Sequence, residues 1–191
     1  MNLSRLIYVQ DQVLDLDFCN HVIEKFEHDD RISSGMTHNG VNSLVHNSQE
    51  MNISAYEDWK NEDQIFHQSF NTHLRYYFDS FKDLRETGFS ISQYHDLGYS
   101  VRRYNQGTDQ YGWHNDFELN SENGLRILTF LWYLNDVAVG GETEFCDGTI
   151  IKPKAGRLLI FSANWFLVHK GCCPISNNKY ITIGCLHGKN W

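Results

Sequence analysis

The spacing of apolar residues changes character once along this chain, near Glu86. Ahead of that point the dominant period is helical. A short apolar run at residues 6–9 reads as an edge strand, after which Asp15 or Asp17 can cap a helix carrying Phe18, Val22, Ile23 and Phe26 on one face. Residues 29–55 are polar and rich in Asn, Ser, Gly and His, which predicts a loop with at most a short strand. From about 57 to 84 apolar residues such as Trp59, Phe66, Phe70, Leu74 and Tyr77 recur at three- and four-residue steps, predicting a second helix.

Beyond Glu86 the pattern becomes one of short β-like runs, at 89–94, 99–104, 111–118, 127–134, 143–146, 149–151, 158–161, 166–169 and 180–186. Turn residues separate them, among them Asn105-Gln106-Gly107, Gly140-Gly141, Asp147-Gly148 and Pro153-Lys154-Ala155-Gly156. Many short strands at close spacing predict a β-barrel or sandwich. The expected organisation is a supporting region over residues 1–85 packed on a β-core over 86–191, one structural domain in all.

Composition narrows the functional classes. The chain has 191 residues, 41% hydrophobic and 21% charged, which suits a globular domain with a sizeable core. Its net charge is −8, and Arg102-Arg103 is its densest basic cluster. A nucleic-acid binder needs a basic stripe against phosphate, so neither nucleic acid nor a membrane surface is an expected partner. The five cysteines form no CxxC pair, and no long apolar run follows the first residues. Reduced thiols in a cytoplasmic protein are therefore expected.

One constellation suggests metal chemistry. His114 and Asp116 are two apart, and on a strand residues i and i+2 point the same way. Two His and one carboxylate on one side of an ion form a set that leaves positions open for oxygen chemistry. His-x-Asp is a weak motif by itself. A second copy, His28-Asp29-Asp30, ends a predicted helix and reads as a solvated helix terminus. A third ligand must come from a distant strand. His169, 53 residues beyond Asp116, sits in the run Trp165-Phe166-Leu167-Val168-His169, where a lone His is as a rule a satisfied core residue.

The residues around these three decide between the readings. Arg103-Tyr104-Asn105-Gln106-Gly107, Tyr111-Gly112-Trp113-His114-Asn115-Asp116, Leu131-Trp132-Tyr133-Leu134-Asn135-Asp136 and Gly140-Gly141-Glu142-Thr143-Glu144-Phe145 follow one another in order. Pro153 and Gly156, the run 158–161, then His169, Gly171, Pro174, Lys179 and Tyr180 complete the series. Over about residues 86–187 this order resembles the prolyl 4-hydroxylase-like branch of the 2-oxoglutarate/Fe(II)-dependent oxygenases. The resemblance implies a mainly β fold with N-terminal α-helices, a double-stranded β-helix (jelly-roll, cupin-like) barrel. It implies Fe(II) held by His114, Asp116 and His169, with 2-oxoglutarate and O2 as cosubstrates and ascorbate as a candidate reductant. Lys179, ten residues after His169, would bind the far carboxylate of 2-oxoglutarate. Tyr133 would donate its hydroxyl to the same group, Tyr104 would lie nearer the metal, and Thr143 would border the pocket. No catalytic residue beyond the metal ligands is implied.

The expected reaction is hydroxylation of an unactivated C–H bond, first of a prolyl residue in a peptide or protein, with succinate and CO2 as co-products. The alternatives are a free amino acid or other small molecule as substrate, or a metal-binding barrel without catalysis. A zinc hydrolase would suit the three ligands but leaves Lys179 without purpose. A nucleic-acid demethylase is disfavoured, because no Arg follows Arg157. Two departures from the family pattern stand out. Asn177-Asn178 replace a frequent Gly, and Asn tolerates a left-handed backbone. Cys185 stands where the final strand often carries Trp.

Overall fold

The computed structural model describes residues 6–35, 47–81, 94–120 and 122–188. Strand β1 (Ile7–Gln10) leads into helix α1 (Leu16–Glu27), followed by β2 (Ser33–Ser34), β3 (Gln49–Asn52) and helix α2 (Lys60–Asp79). The second half holds β4 (Tyr94–Tyr104), β5 (Tyr111–His114), β6 (Leu119–Asn120), β7 (Gly124–Tyr133) and β8 (Thr143–Phe145). It closes with β9 (Ile150–Ile151), β10 (Arg157–Ser162), β11 (His169–Gly171) and β12 (Lys179–Gly188). The large sheet runs β1-β10-β7-β12-β4-β3-β2, with β6 paired to β7, and the small sheet runs β5-β11-β8-β9. All pairings are antiparallel. Two such sheets enclosing one interior make the expected double-stranded β-helix.

The large sheet is buried on both faces, and its strands alternate between two apolar cores. Phe130 and Trp132 of β7 and Leu158 and Ile160 of β10 join the helices, where Phe70 stacks on Phe130 with centroids 3.7 Å apart and Phe66 meets Trp132 at 5.1 Å. Their neighbours Leu131, Tyr133, Leu159 and Phe161 point the other way, into the space between the sheets. Edge strand β1 joins this layer through β10, so the N-terminal elements share the core of the large sheet.

Several boundaries differ from the sequence-based expectation, each for a local reason. Asp15 occupies the cap position of α1, but its side chain makes no capping bond. A 3-10 turn at Glu57–Trp59 precedes α2, which therefore begins at Lys60. The predicted strand at 111–118 stops at His114, because the Asn115 side chain accepts the Phe117 N–H (3.1 Å) and turns the backbone off the sheet. The run at 166–169 is strand only from His169, since Asn164 Oδ1 accepts the N–H groups of Phe166 and Leu167. Neither Asn177 nor Asn178 is left-handed. Side-chain bonds hold that turn instead: Gln106 N–H donates to Asn178 Oδ1 (2.9 Å) and Asn177 Nδ2 donates to the Asp136 carbonyl (2.9 Å). The predicted strand at 89–93 and the end of the second predicted helix at 82–84 lie outside the described residues.

Gly184 of β12 is closely approached by both of its neighbouring strands. A Cβ there would lie 2.6 Å from Phe130 Cε2 and 2.8 Å from the Gly98 carbonyl. Phe130 is pinned by its stack on Phe70 and has little room to yield. Gly184→Ala is expected to destabilise the fold by about 1–3 kcal/mol. Thermal denaturation monitored by circular dichroism would show this as a drop of several degrees, and an unchanged midpoint would refute the packing argument.

Candidate metal centre and cosubstrate pocket

The small sheet brings the two distant histidines together. In the β5–β11 ladder His114 and His169 are direct cross-strand partners, and their rings lie 4.3 Å apart. Each imidazole donates Nδ1–H to the carbonyl two residues earlier, His114 to Gly112 (2.7 Å) and His169 to Leu167 (2.9 Å). Both Nε2 atoms are thereby left as lone-pair donors aimed at one point. Tyr111 stacks flat on His114 at 3.6 Å, and Phe161 and Phe145 hold His169 at 4.7 and 5.5 Å.

Asp116 completes the group from the turn after β5. Its Oδ1 lies 3.6 Å from His114 Nε2 and its Oδ2 lies 3.6 Å from His169 Nε2. Thr129 Oγ1 donates to Oδ2 (2.7 Å) and fixes the carboxylate. Burial pushes this carboxyl up, yet His169, His114 and Thr129 outweigh it and hold Asp116 below its ordinary value. The three ligand atoms lie within 4.8 Å of one another, a grouping suited to sharing one ion. Two neutral imidazoles and one carboxylate on a single side suit a divalent transition metal with open positions. The donors face one another, and the bonds to Gly112, Leu167 and Thr129 hold them there, so the residues present fit such an ion.

The triad opens on a cleft of about 770 Å³ between the sheets. At its inner end stands Lys179, the first residue of β12 and 2% exposed. Its ammonium donates to the Gly141 carbonyl (3.1 Å) and sits 4.3 Å from the centroid of the Tyr104 ring. Among the described residues no carboxylate lies within ion-pairing distance of it. Burial, only partly opposed by Cys172 and the Glu142 carboxylate, pulls Lys179 down to about 8. Thr143 lines the same end, its hydroxyl 2.7 Å from that of Tyr133. Tyr104, expected nearer the metal, is the cross-strand partner of Lys179 and packs against its ammonium.

Four charged residues of the cleft and one hydroxyl were not foreseen from the sequence. Arg102 forms an ion pair with Glu50 (2.7 Å), its partner across the β3–β4 ladder, and Arg126 pairs with Glu118. The adjacent Arg103 points outward to Glu27, so strand alternation splits what looked like one basic cluster. Thr129 could have been found from that alternation too, since it lies one inward step before Leu131 and Tyr133.

Comparisons with known proteins agree with this geometry. Residues 99–187 match the family model described as 2OG-Fe(II) oxygenase superfamily. Probable prolyl 4-hydroxylase 10 of Arabidopsis thaliana is 32% identical across 52% of this chain and 47% of that protein. Human prolyl 4-hydroxylase subunit alpha-1 is 30% identical across 53% of this chain and 21% of its own length. The chain thus spans half or less of the curated relatives it matches. Among solved structures, a Trichoplax adhaerens prolyl hydroxylase in complex with a hypoxia inducible factor peptide fragment superposes with a TM-score of 0.74. The match has 16% identity and covers 97% of this chain and 84% of that one. A Pseudomonas putida prolyl-4-hydroxylase gives 0.69 at 16% identity, covering 95% and 92%. These structural likenesses carry the fold.

Lys179 makes the stability of the fold depend on pH in a defined direction. Its folded value of about 8 lies below the ordinary 10.5, so the unfolded chain binds the extra proton between those limits. Stability should therefore rise from pH 8 to 10.5, and the full cost of the buried charge, about 3 kcal/mol, is present below pH 8. Lys179→Met is expected to raise the unfolding midpoint near pH 7, with the gain shrinking above pH 8. Chemical denaturation at pH 7 and pH 10 checks this, and equal differences at both pH values would contradict it.

Proposed function

Because residues 99–187 belong to the 2-oxoglutarate/Fe(II) oxygenase superfamily, we propose that this chain is a dioxygenase that hydroxylates the ring of a prolyl group. The observation that carries this reading is the pairing of two features in one cleft. A two-His, one-Asp triad stands at its wall, and a buried lysine with no carboxylate partner among the described residues stands at its closed end. His114, Asp116 and His169 would hold the iron. When bound, it supplies the oxygen chemistry, in which a C–H bond, 2-oxoglutarate and O2 become an alcohol, succinate and CO2.

The remaining steps belong to the chain itself. Lys179 binds the far carboxylate of 2-oxoglutarate by charge and hydrogen bond, which relieves the cost of burying its ammonium alone. The Tyr133 hydroxyl, already beside Thr143, can donate to the same carboxylate. Tyr104 presents its ring to the ammonium and keeps it aimed inward. Phe145 and Phe161 pack on His169 and exclude water from behind the metal. The relatives' names support a prolyl residue carried in a peptide. A free amino acid is the second reading, favoured by the charged Arg–Glu pairs that line the cleft. Five free thiols suit a reducing compartment, and a cytoplasmic location is proposed with them.

An anaerobic titration with Fe(II) and then 2-oxoglutarate, followed by the visible charge-transfer band, tests the assignment. The band should form in the wild type and vanish in His169→Ala. Lys179→Ala should need roughly 100-fold more 2-oxoglutarate, about 3 kcal/mol of lost binding. Affinity should hold below pH 8, where Lys179 is protonated, and fall by up to about tenfold per pH unit above it. A wild type with no band and no saturable binding would sink the enzyme reading and leave a barrel retained for binding.

A further inference from the structure

The surface beside the metal centre is aromatic and exposed. Phe117, Trp165 and Phe166 are 43%, 67% and 60% exposed, and they form a row. Phe117 and Trp165 have ring centroids 5.5 Å apart at an interplanar angle of 32°, and Trp165 and Phe166 lie 6.2 Å apart at 28°. The three faces are nearly parallel and adjacent, which makes one continuous shelf rather than separate pockets. Phe117 also lines the cleft itself, together with the exposed Leu97 and Leu119.

Two matching turns tie the row to the metal centre. Asn115 Oδ1 accepts the Phe117 N–H (3.1 Å), and Asn164 Oδ1 accepts those of Phe166 (2.9 Å) and Leu167 (3.0 Å). Phe117 directly follows the ligand Asp116, while Trp165 and Phe166 stand in the loop that enters β11 at His169. The shelf is thereby registered to the ion site. Trp113 offers a contrast. Strand alternation from His114 puts it on the outer face of the small sheet, where the Lys170 ammonium, paired with Glu144, lies 4.6 Å from its ring. Its ring is covered from within the chain, whereas the shelf rings pack on one another.

Contiguous exposed rings of this kind mark a surface that a partner covers, and this one continues the lining of the cleft that holds the triad. The chemistry of the shelf limits what can lie there. The backbone N–H groups of Phe117 and Phe166 are already bonded to asparagine side chains, so the shelf offers ring faces and not a strand edge. An ordinary strand laid on it would leave its own N–H groups without acceptors. A proline-rich segment has few N–H groups, flat apolar rings and a preformed polyproline II conformation without internal hydrogen bonds. It loses little entropy on docking and suits an aromatic surface.

We propose that Phe117, Trp165 and Phe166 form a docking shelf for the proline-rich stretch of polypeptide that flanks the target residue, its prolyl rings laid on the aromatic faces. The proposal rests on the hydroxylase reading and deepens it, since it makes the substrate an extended chain and assigns the residues that read its flank. A polyproline II chain rises about 3.1 Å per residue, so a step of 5.5 or 6.2 Å between rings corresponds to about two residues. A single amino acid cannot cover the shelf, whereas a chain leaving the cleft past Phe117 can.

The test uses the full chain loaded with Mn(II) and 2-oxoglutarate under argon, with binding measured by calorimetry rather than turnover. The probes are end-blocked nonaproline and an end-blocked nonapeptide with one central proline among glycines. Nonaproline is expected to bind at least about 30-fold tighter than the glycine-flanked peptide, more than its choice of about nine registers would supply. Trp165→Ala should weaken nonaproline by roughly 10–30-fold and Trp165→Phe by less, and both should leave 2-oxoglutarate affinity within about twofold. That unchanged affinity also reports a folded cleft. The proposal is overturned if the glycine-flanked peptide binds as well as nonaproline, if nonaproline does not saturate, or if Trp165→Ala leaves its affinity unchanged. It also fails if Trp165→Ala weakens 2-oxoglutarate, which would make the ring act through the metal centre. A wild type that sediments as a dimer and a Trp165→Ala variant that sediments as a monomer would overturn it in favour of an interface between copies. Failure of the hydroxylase reading is separate and visible first, as absence of 2-oxoglutarate binding to the metal-loaded wild type.

Discussion

The large sheet must satisfy two interiors at once, and this demand sets both the register of its strands and the shape of the cleft. In β7 and β10 every second side chain goes to the helices and the others to the space between the sheets. Trp132 and Ile160 bind the outer layer while Leu131, Tyr133 and Phe161 wall the cleft. A one-residue slip would exchange the two sets, carrying aromatic rings into the cleft and Tyr133 into the helix layer. Register is therefore fixed by burial on both faces, and the cleft inherits its precision from the helix packing behind it. This is why α1 and α2 matter to a site that contains none of their residues.

The polar groups inside that apolar frame are few and each has a physical reason to be there. Thr129 directs its hydroxyl proton to Asp116, and the two ligand histidines direct their Nδ1 protons to backbone carbonyls. These bonds orient the ligands and set the tautomer that leaves Nε2 free. Lys179 has no such full complement. One carbonyl and one aromatic face are poor compensation for a desolvated ammonium, and a depressed proton affinity is the consequence. A dicarboxylate entering the cleft would supply a close counter-charge, so ligand binding and relief of the buried ammonium would be the same event.

The two periods in the sequence located the helices and nearly every strand of the cleft, since both depend on burying one face. The triad was legible only in company: His114 and Asp116 share a spacing with His28 and Asp30, and what separates them is the β pattern around the first pair. Strand alternation between i and i+2 picks out the right two residues by an incomplete route. Asp116 has already left β5, and the Asn115 turn and Thr129 aim it. Side-chain bonding of this kind carries no period and is invisible to a scan for alternation. The same holds for Asn178, whose amide replaces the backbone conformation that a glycine would supply.

Among the described strands of the large sheet alternation fails at two places, and both lie around Cys185. An extra residue in β7 and another in β4 break the ladder on either side of it. A sheet buried on both faces resists such insertions, because the extra residue disrupts pairing and must still be packed. Ile127 meets that demand by turning out to the helix layer, which releases Arg126 to the cleft. In β4 the insertion falls at Leu97 and Gly98, and Gly98 adopts a left-handed backbone (φ +92°) that a larger residue would strain. Two irregularities and one small residue thus coincide beside the inward Arg126. The regular part of the sheet carries Tyr133 and Lys179; its irregular part shapes the stretch of the cleft around Cys185.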